Sequence, residues 1–189
     1  MDLAHPAVIG SVVAFVAGLG ALFGWRWWRQ RQRPSIESAL RAIGVEHLRD
    51  VLVPDGMGGE IHVEHLILTA RGIVVVDVKR YQGVIFASDR MDQWTSIGPD
   101  GRSTFQNPIG TLYDRVAAVR QLVRDVDVAG FVLFPPAADF SKGQPKDVVL
   151  PDDLVERYAK PEREQIGKLN DAFAPHWEKI RQAVRPASD

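Results

Sequence analysis

Residues 60–83 of the chain read EIHVEHLILTARGIVVVDVKRYQG, and this stretch decides the fold. Two apolar runs, Glu60 to Thr69 and Gly72 to Tyr81, are separated only by Ala70 and Arg71. Apolar runs of this length on either side of a two-residue turn are typical of a β-hairpin. The segment therefore predicts two antiparallel strands at the centre of a sheet.

Segments on both sides of the hairpin predict the remaining elements of an α/β fold, in which a central mixed β-sheet is flanked by helices. One helix begins at the capping residue Ser35 and continues to Gly44, and a second begins at Asn107 and Pro108 and ends near Asp125. Three further strands are predicted at Gly83 to Ala87, at Ala129 to Phe134 and, at the edge of the sheet, at Asp147 to Leu150. A tail helix is predicted from Pro161 to Val184, interrupted at Pro175. It is expected to dock on the domain through Trp177 and Ile180. The polar stretch that contains Trp94, Gly98, Pro99 and Gly101 predicts an exposed loop.

Two carboxylates are expected to meet on the hairpin. A turn centred between Ala70 and Arg71 places Glu64 directly opposite Asp77, with side-chain roots about 5 Å apart. Like charges opposite one another destabilise a sheet, and a carboxylate inside the run IVVVDV is costly to bury, so something must offset that cost. A divalent cation such as Mg2+ would do so, because it binds one or two carboxylates and leaves positions open for phosphate oxygens.

Lys79 completes a chemical pattern with these carboxylates. Strand residues two apart share a face, so Asp77 and Lys79 point the same way, roughly 6.6 Å apart along the strand. Lys79 would then polarise a metal-bound water or stabilise charge on a scissile phosphate, which predicts phosphodiester hydrolysis. From spacing alone an alternative stays open: Asp77 and Lys79 form an ordinary ion pair near a strand end, and Glu64 faces solvent.

A resemblance to a known family adds to this pattern. The run HVEHLILTARGIVVVDVKRYQGVI, followed by Trp94 and by FQNP at residues 105–108, resembles the nuclease-related domain (NERD) family, which is grouped with the PD-(D/E)XK nuclease superfamily. The resemblance spans roughly residues 36–134 and implies a restriction-endonuclease-like core that acts on DNA or RNA with Mg2+ or Mn2+. It implies that Asp77 and Lys79 fill the acidic and lysine positions of the family signature.

The same resemblance implies further site residues. Glu64 stands where the family usually has the first aspartate of an I-D-H triplet, and the implied metal ligands are Glu64, Asp77 and the backbone carbonyl of Val78. Glu37 on the first helix resembles an additional acidic residue that would hold a metal-bound water. The chain departs from the family pattern at Glu64, which is one methylene longer than aspartate, and at Thr111, where the family often has glutamine.

Three residues near these motifs are candidate substrate contacts. Gln106 and Asn107 belong to the FQNP motif. Tyr81 is a candidate for stacking on a base, although an aromatic side chain there would equally well close the edge of the core.

An uncharged apolar segment precedes the domain. Residues 7–24 read AVIGSVVAFVAGLGALFG, and at about 1.5 Å per residue they reach across a bilayer core. The tryptophans and arginines that follow, in WRWWRQRQR, predict that residues 7–28 form a single-pass transmembrane helix in the plasma (inner) membrane. The arginines after the helix predict that the N-terminus lies outside and the C-terminal domain lies in the cytoplasm. Two seams of small residues would suit a homodimer of this helix: one is Gly10, Ala14 and Gly18, and the other is Gly20 and Gly24.

The sequence accordingly divides into five predicted parts. They are a short extracytoplasmic N-terminus at residues 1–6, the transmembrane helix at 7–28, a basic juxtamembrane linker at 29–35, the NERD-like domain at 36–150 and a C-terminal helical extension at 151–189.

Composition narrows the possible chemistry. The chain has no cysteine, which excludes disulfides, thiolate zinc sites and cysteine nucleophiles. Its net charge of -1 includes the arginines next to the apolar segment, so residues 34–189 are mildly acidic. This disfavours a sequence-independent nucleic-acid binder that depends on a broad basic surface.

The polar residues of the chain allow two other interpretations. A zinc site of His62, Glu64 and His65 is disfavoured because His65 is expected on the opposite strand face from the other two. Five basic residues either line a nucleic-acid groove or are simply solvated: Arg115, Arg120, Arg124, Lys142 and Lys146. The three arginines are expected on the outer face of the second helix.

Two function classes follow. The first is a membrane-anchored, metal-dependent nuclease with Glu64, Asp77 and Lys79 at its centre and Glu37 in support. The second is a catalytically inactive nuclease-like module that binds nucleic acid or a protein partner at the membrane. Binding of a divalent cation at Asp77 and Glu64 discriminates between them.

Overall fold

The computed structural model of the chain describes residues 33–158 and 163–187. Its helices are α1 (Ile36–Ile43), α2 (Ile109–Leu122), α3 (Pro151–Tyr158) and α4 (Arg163–Ala183). Its strands are β1 (Glu46–Pro54), β2 (Glu60–Thr69), β3 (Gly72–Val78), β4 (Gly83–Phe86), β5 (Gln93–Gly98), β6 (Gly101–Gln106), β7 (Val128–Leu133), β8 (Ala138–Asp139), β9 (Val148–Val149) and β10 (Arg185–Pro186).

No helix in residues 33–158 and 163–187 has the length and apolar character needed to cross a membrane. The predicted transmembrane helix at residues 7–28, with its small-residue seams and the short segment before it, lies outside the described residues. Those parts of the sequence analysis stay predictions.

The predicted hairpin forms the middle of a six-stranded sheet with strand order β10-β1-β2-β3-β7-β9. β2 and β3 are antiparallel, with His65 opposite Val76 and Thr69 opposite Gly72, which confirms the predicted register. β7 runs parallel to β3, and β9 runs parallel to β7 at the edge. The central sheet is therefore mixed, as the sequence predicts.

Alternate residues of β3 face two separate apolar layers. Ile73 and Val75 pack in the layer beneath α2, whereas Val74 and Val76 pack in the layer beneath α1 and α3. All seven residues of β3 are buried, which explains why the strand is an unbroken apolar run rather than an alternating one. Asp77 continues the face of Ile73 and Val75 and so points toward the α2 side of the sheet.

The stretch predicted to be an exposed loop is a hairpin, and this expectation was wrong. β5 and β6 pair with each other in a second sheet of order β6-β5-β4-β8, and Trp94 in β5 is fully buried. β4 also belongs to this sheet, not to the central one. One face of the second sheet is solvated, so its polar residues disguise the strands in the sequence.

The tail helix docks as predicted, but it is not interrupted. α4 continues through Pro175, and Trp177 and Ile180 are buried in the layer that also contains α2 residues. The Trp177 indole N–H donates a hydrogen bond to the carboxylate of Glu46 at 2.8 Å. These contacts hold the helix across a proline that removes only one backbone donor.

Candidate active site

Glu64 lies where the ladder between β2 and β3 ends. The last pair of that ladder is His65 with Val76, and just beyond it Oε2 of Glu64 accepts a hydrogen bond from the backbone N–H of Val78 at 2.9 Å. The carboxylate thus sits at the C-terminal end of β3, beside Asp77, and its negative charge acts to raise the pKa of Asp77. The structure therefore places the carboxylates of Glu64 and Asp77 near each other, as the predicted hairpin register requires.

Asp77 is a buried carboxylate with one satisfied oxygen. Its exposed fraction is 2%, and its Oδ2 accepts a hydrogen bond from Nη1 of Arg115 at 2.5 Å. Its Oδ1 is buried without any hydrogen-bond partner among the residues that the structure describes. Burial raises the pKa of Asp77, and the charges of Arg115 and Lys79 act in the opposite direction.

Arg115 is a site residue, and the prediction that it lies on the outer face of its helix is wrong. Its side chain is only 17% exposed, and its Nε donates to the backbone carbonyl of His62 at 2.6 Å. The guanidinium therefore ties α2 to both β2 and β3. A signal was present in the sequence: the buried carboxylate of Asp77 requires a cation, and Arg115 directly precedes the buried Val116.

Lys79 follows directly after the end of β3. Its backbone N–H donates to the carbonyl of Leu133 at 3.0 Å, which extends the pairing of this segment with β7. The half-buried side chain places a positive charge near Asp77 and acts to lower its pKa. Glu64, Asp77, Lys79 and Arg115 thus form one cluster at the C-terminal end of β3.

Glu37 belongs to a different layer of the structure. It is exposed in the first turn of α1, and α1 packs on the sheet face opposite to α2. A backbone hydrogen bond at the start of the helix lowers the pKa of Glu37, and Ser35 contributes less. No hydrogen bond or ion pair among the described residues joins Glu37 to Asp77 or Glu64, so its catalytic role stays a prediction.

The candidate substrate contacts lie in different surroundings. Gln106 and Asn107 line an open groove of about 700 Å³ at the start of α2. The Asn107 side chain accepts a hydrogen bond from the N–H of Ile109 at 3.0 Å and donates one to Met91 at 2.9 Å, so it already holds the helix start in place. Tyr81 is stacked on Phe105 with ring centroids 3.8 Å apart, which favours the packing role over base stacking.

The histidines contact one another or an acidic side chain rather than forming a zinc site. Nε2 of His47 lies 3.1 Å from Nδ1 of His65, and burial lowers the pKa of both, to about 4 for His47. Nε2 of His62 lies 3.3 Å from Asp50. Among residues 33–158 and 163–187, no three His, Cys, Asp or Glu side chains are arranged to hold a metal ion.

The donors at the end of β3 nevertheless fit a hard divalent cation. Mg2+ commonly binds one or two carboxylates and keeps water in its other positions, so a cluster of three protein side chains is not required. Asp77 supplies a buried oxygen without a partner among the described residues, and the negative charge of the Glu64 carboxylate is close enough to act on Asp77. An unsatisfied buried oxygen costs stability, and a cation at this position would remove that cost. Glu64 engages the N–H of Val78, and a role of the Val78 carbonyl as a ligand stays a prediction.

Comparisons with known proteins identify the family to which the chain belongs. The family profile described as the nuclease-related domain matches residues 30–135, which include both strands of the hairpin and Arg115. An uncharacterized protein of Bacillus anthracis is 30% identical over 76 residues, which are 40% of this chain and 36% of that protein. The match therefore spans about a third of that relative's length, and no solved structure is significantly similar to the chain. Because the profile match covers more than half of the chain, the protein belongs to the nuclease-related domain (NERD) family.

Proposed function

We propose that this protein is a nuclease that hydrolyses phosphodiester bonds in DNA or RNA with a divalent cation, Mg2+ or Mn2+, held by Asp77 and Glu64. The observation that carries the proposal is the buried Oδ1 of Asp77, which has no hydrogen-bond partner among the described residues. The charge of a second carboxylate, that of Glu64, acts on the same side chain. Carboxylate oxygens next to two cationic side chains provide the elements of both a metal site and a phosphate site. Membership of the NERD family supports the same class of reaction.

Each residue of the cluster has a distinct role in this proposal. The cation, when bound, supplies a Lewis acid and a water of lowered pKa. The hydrogen bond from Val78 fixes the Glu64 carboxylate at the end of β3, and Arg115 holds Oδ2 of Asp77 so that Oδ1 stays available. Lys79 stabilises the negative charge that develops on the phosphate as its bond to the leaving oxygen breaks.

We also propose that residues 7–28 anchor the domain to the inner membrane as a single-pass helix, with the domain on the cytoplasmic side. The uncharged apolar run and the arginines after it support this placement. The full chain is then expected in the membrane fraction after a high-salt wash, and deletion of residues 7–28 is expected to release it. Recovery of the intact chain in the soluble fraction would contradict the anchor.

A second candidate function is that of a nuclease-like module without activity, which binds nucleic acid or a protein partner. One specific observation favours it: Arg115 already provides Asp77 with a positive charge at 2.5 Å. A guanidinium in that position offsets part of the cost of burying the carboxylate without any metal ion.

The test is a cleavage assay on the full-length chain purified in detergent. Single-stranded and duplex DNA and RNA are incubated with the protein in Mg2+, in Mn2+ or in a chelator. The proposal predicts cleavage that requires the metal and falls at least 100-fold in Asp77→Asn and Lys79→Met.

Two exposed residues of matching chemistry serve as controls. Asp100→Asn and Lys179→Met remove the same kinds of charge from exposed positions and should leave cleavage unchanged. If wild type and all four variants are folded by circular dichroism and none cleaves any substrate, the inactive module is the correct function.

A further inference from the structure

Arg115 carries hydrogen-bond donors that the described protein does not use. A guanidinium has five N–H donors. In Arg115, Nε donates to the His62 carbonyl at 2.6 Å and Nη1 donates to Asp77 at 2.5 Å. Its Nη2 has no hydrogen-bond partner among the residues that the structure describes, and the side chain keeps 17% of its surface exposed. Donors are therefore available at the border between the buried carboxylate and solvent.

The two bonds that Arg115 makes fix the plane of its guanidinium. One acceptor belongs to the backbone of β2 and the other to a buried side chain of β3, so the group is held from two strands. The guanidinium is planar and remains charged at all working pH values. Its orientation is thus set before any ligand arrives, which reduces the entropy lost on binding.

The chemistry of this edge selects the class of ligand. Guanidinium N–H groups form strong, charge-assisted hydrogen bonds with phosphate oxygens. Lys79, two residues after Asp77, adds a second positive charge to the same cluster. A phosphodiester presents the anionic oxygens that such a pair of cations binds.

We propose that Arg115 is a phosphate-binding residue whose Nη2 donates to a non-bridging oxygen of a nucleic-acid phosphodiester while Nε and Nη1 stay bound to His62 and Asp77. This inference rests on the proposed function for the identity of the ligand as nucleic acid. It assigns Arg115 a direct contact with substrate in addition to its bond with Asp77.

The test measures binding without cleavage. A fluorescent single-stranded oligonucleotide is titrated with the full-length protein in chelator, at several salt concentrations, and its anisotropy is recorded. Arg115→Gln is expected to weaken binding about tenfold for every oligonucleotide sequence, because one charge-assisted contact is lost. The slope of log affinity against log salt should become shallower by about 0.7, the value for one phosphate contact with a single strand.

Controls separate this contact from a structural role. Arg102→Gln removes an exposed arginine of β6 and should change neither the affinity nor the salt slope by these amounts. Because Arg115→Gln leaves the buried Asp77 without its cation and so risks misfolding, the double variant Asp77→Asn with Arg115→Gln is compared with Asp77→Asn alone. The double variant replaces the buried ion pair by two neutral amides and should still show the weaker, less salt-dependent binding.

The outcomes decide the inference independently of the nuclease assay. The inference is overturned if Asp77→Asn and the double variant Asp77→Asn with Arg115→Gln bind with equal affinity and equal salt slope. It is also overturned if the wild-type protein does not bind the oligonucleotide in chelator. Failure of the proposed function appears instead as the absence of metal-dependent cleavage. A protein that binds through Arg115 without cleaving would support this inference and the inactive module together.

Discussion

Glu64 caps the end of β3 by accepting a hydrogen bond from the backbone N–H of Val78 at 2.9 Å. The pairing of β2 with β3 stops at His65 with Val76, two residues before Val78, so the Val78 N–H donates to a side-chain oxygen in place of a strand carbonyl. The other carboxylate oxygen, Oε1, lies 3.8 Å from Nε2 of His65. The length of the glutamate side chain therefore lets its carboxylate reach across to the neighbouring strand.

Shortening this side chain should cost stability. Glu64→Asp retracts the carboxylate from the Val78 N–H, and we expect the free energy of unfolding to fall by about 1 kcal/mol, the usual contribution of one hydrogen bond. Glu64→Gln keeps an oxygen acceptor at the same reach and should cost less. Urea unfolding at neutral pH measures both values, and equal losses in the two variants would contradict the capping role.

The contact of His47 with His65 predicts a dependence of stability on pH. Burial, followed by the charges of His65 and Arg49, lowers the pKa of His47 from 6.5 to about 4. Because the folded state binds this proton less tightly than the unfolded state, the contribution of His47 to stability is complete above pH 6.5 and is lost as pH falls toward 4. Wild type should therefore lose more stability between these pH values than His47→Gln does.

The measurement is urea unfolding at intervals across that pH range. His62→Gln is the matched control, since it removes an exposed histidine from the adjacent strand. If His47→Gln and His62→Gln lose the same stability on acidification as wild type, the neutral buried imidazole of His47 does not contribute to folding.

The hairpin and its two carboxylates were predictable from the sequence because a two-residue turn fixes the register of the strands that it joins. If Ala70 and Arg71 form the turn, counting residues outward along both strands places Glu64 opposite Asp77. The parallel strand β7 was predictable for a similar reason: a continuous apolar run that ends at Pro135 is typical of a buried strand.

The partners of these carboxylates depend on tertiary structure and were not predictable by counting. Arg115 is 38 residues from Asp77, and its position depends on how α2 crosses the sheet. β5 was missed because one of its two buried residues, Ser96, is polar and one of its exposed residues, Ile97, is apolar. Period-two alternation is a weak signal when one of the buried positions is a serine.

The position of α2 over the sheet can be tested at two glycines. A Cβ on Gly130 of β7 would lie 2.4 Å from Val116 and 3.2 Å from Leu112, whereas a Cβ on Gly110 of α2 would have no neighbour within 4 Å. Gly130→Ala should therefore push α2 outward and destabilise the protein by about 1–3 kcal/mol. Gly110→Ala should stabilise it by roughly 0.5–1 kcal/mol, because alanine is the better helix former. Thermal unfolding measures both, and an unchanged melting temperature in Gly130→Ala would show that α2 does not pack this closely.

Divalent cations should stabilise the folded protein if Asp77 and Glu64 bind them. At ten times the dissociation constant, a cation that binds only the folded state adds about 1.4 kcal/mol, which corresponds to a rise of roughly 3–6 °C in the melting temperature of a chain of this size. Asp77→Asn should abolish the rise because it removes a carboxylate ligand. Lys79→Met should preserve it, since Lys79 is proposed to contact the phosphate and not the cation.

Circular dichroism melts in Mg2+, Mn2+ and chelator make the comparison. An equal rise in melting temperature in wild type and Asp77→Asn would show that the divalent cation binds elsewhere. The Arg115 guanidinium would then be the positive charge that compensates the Asp77 carboxylate.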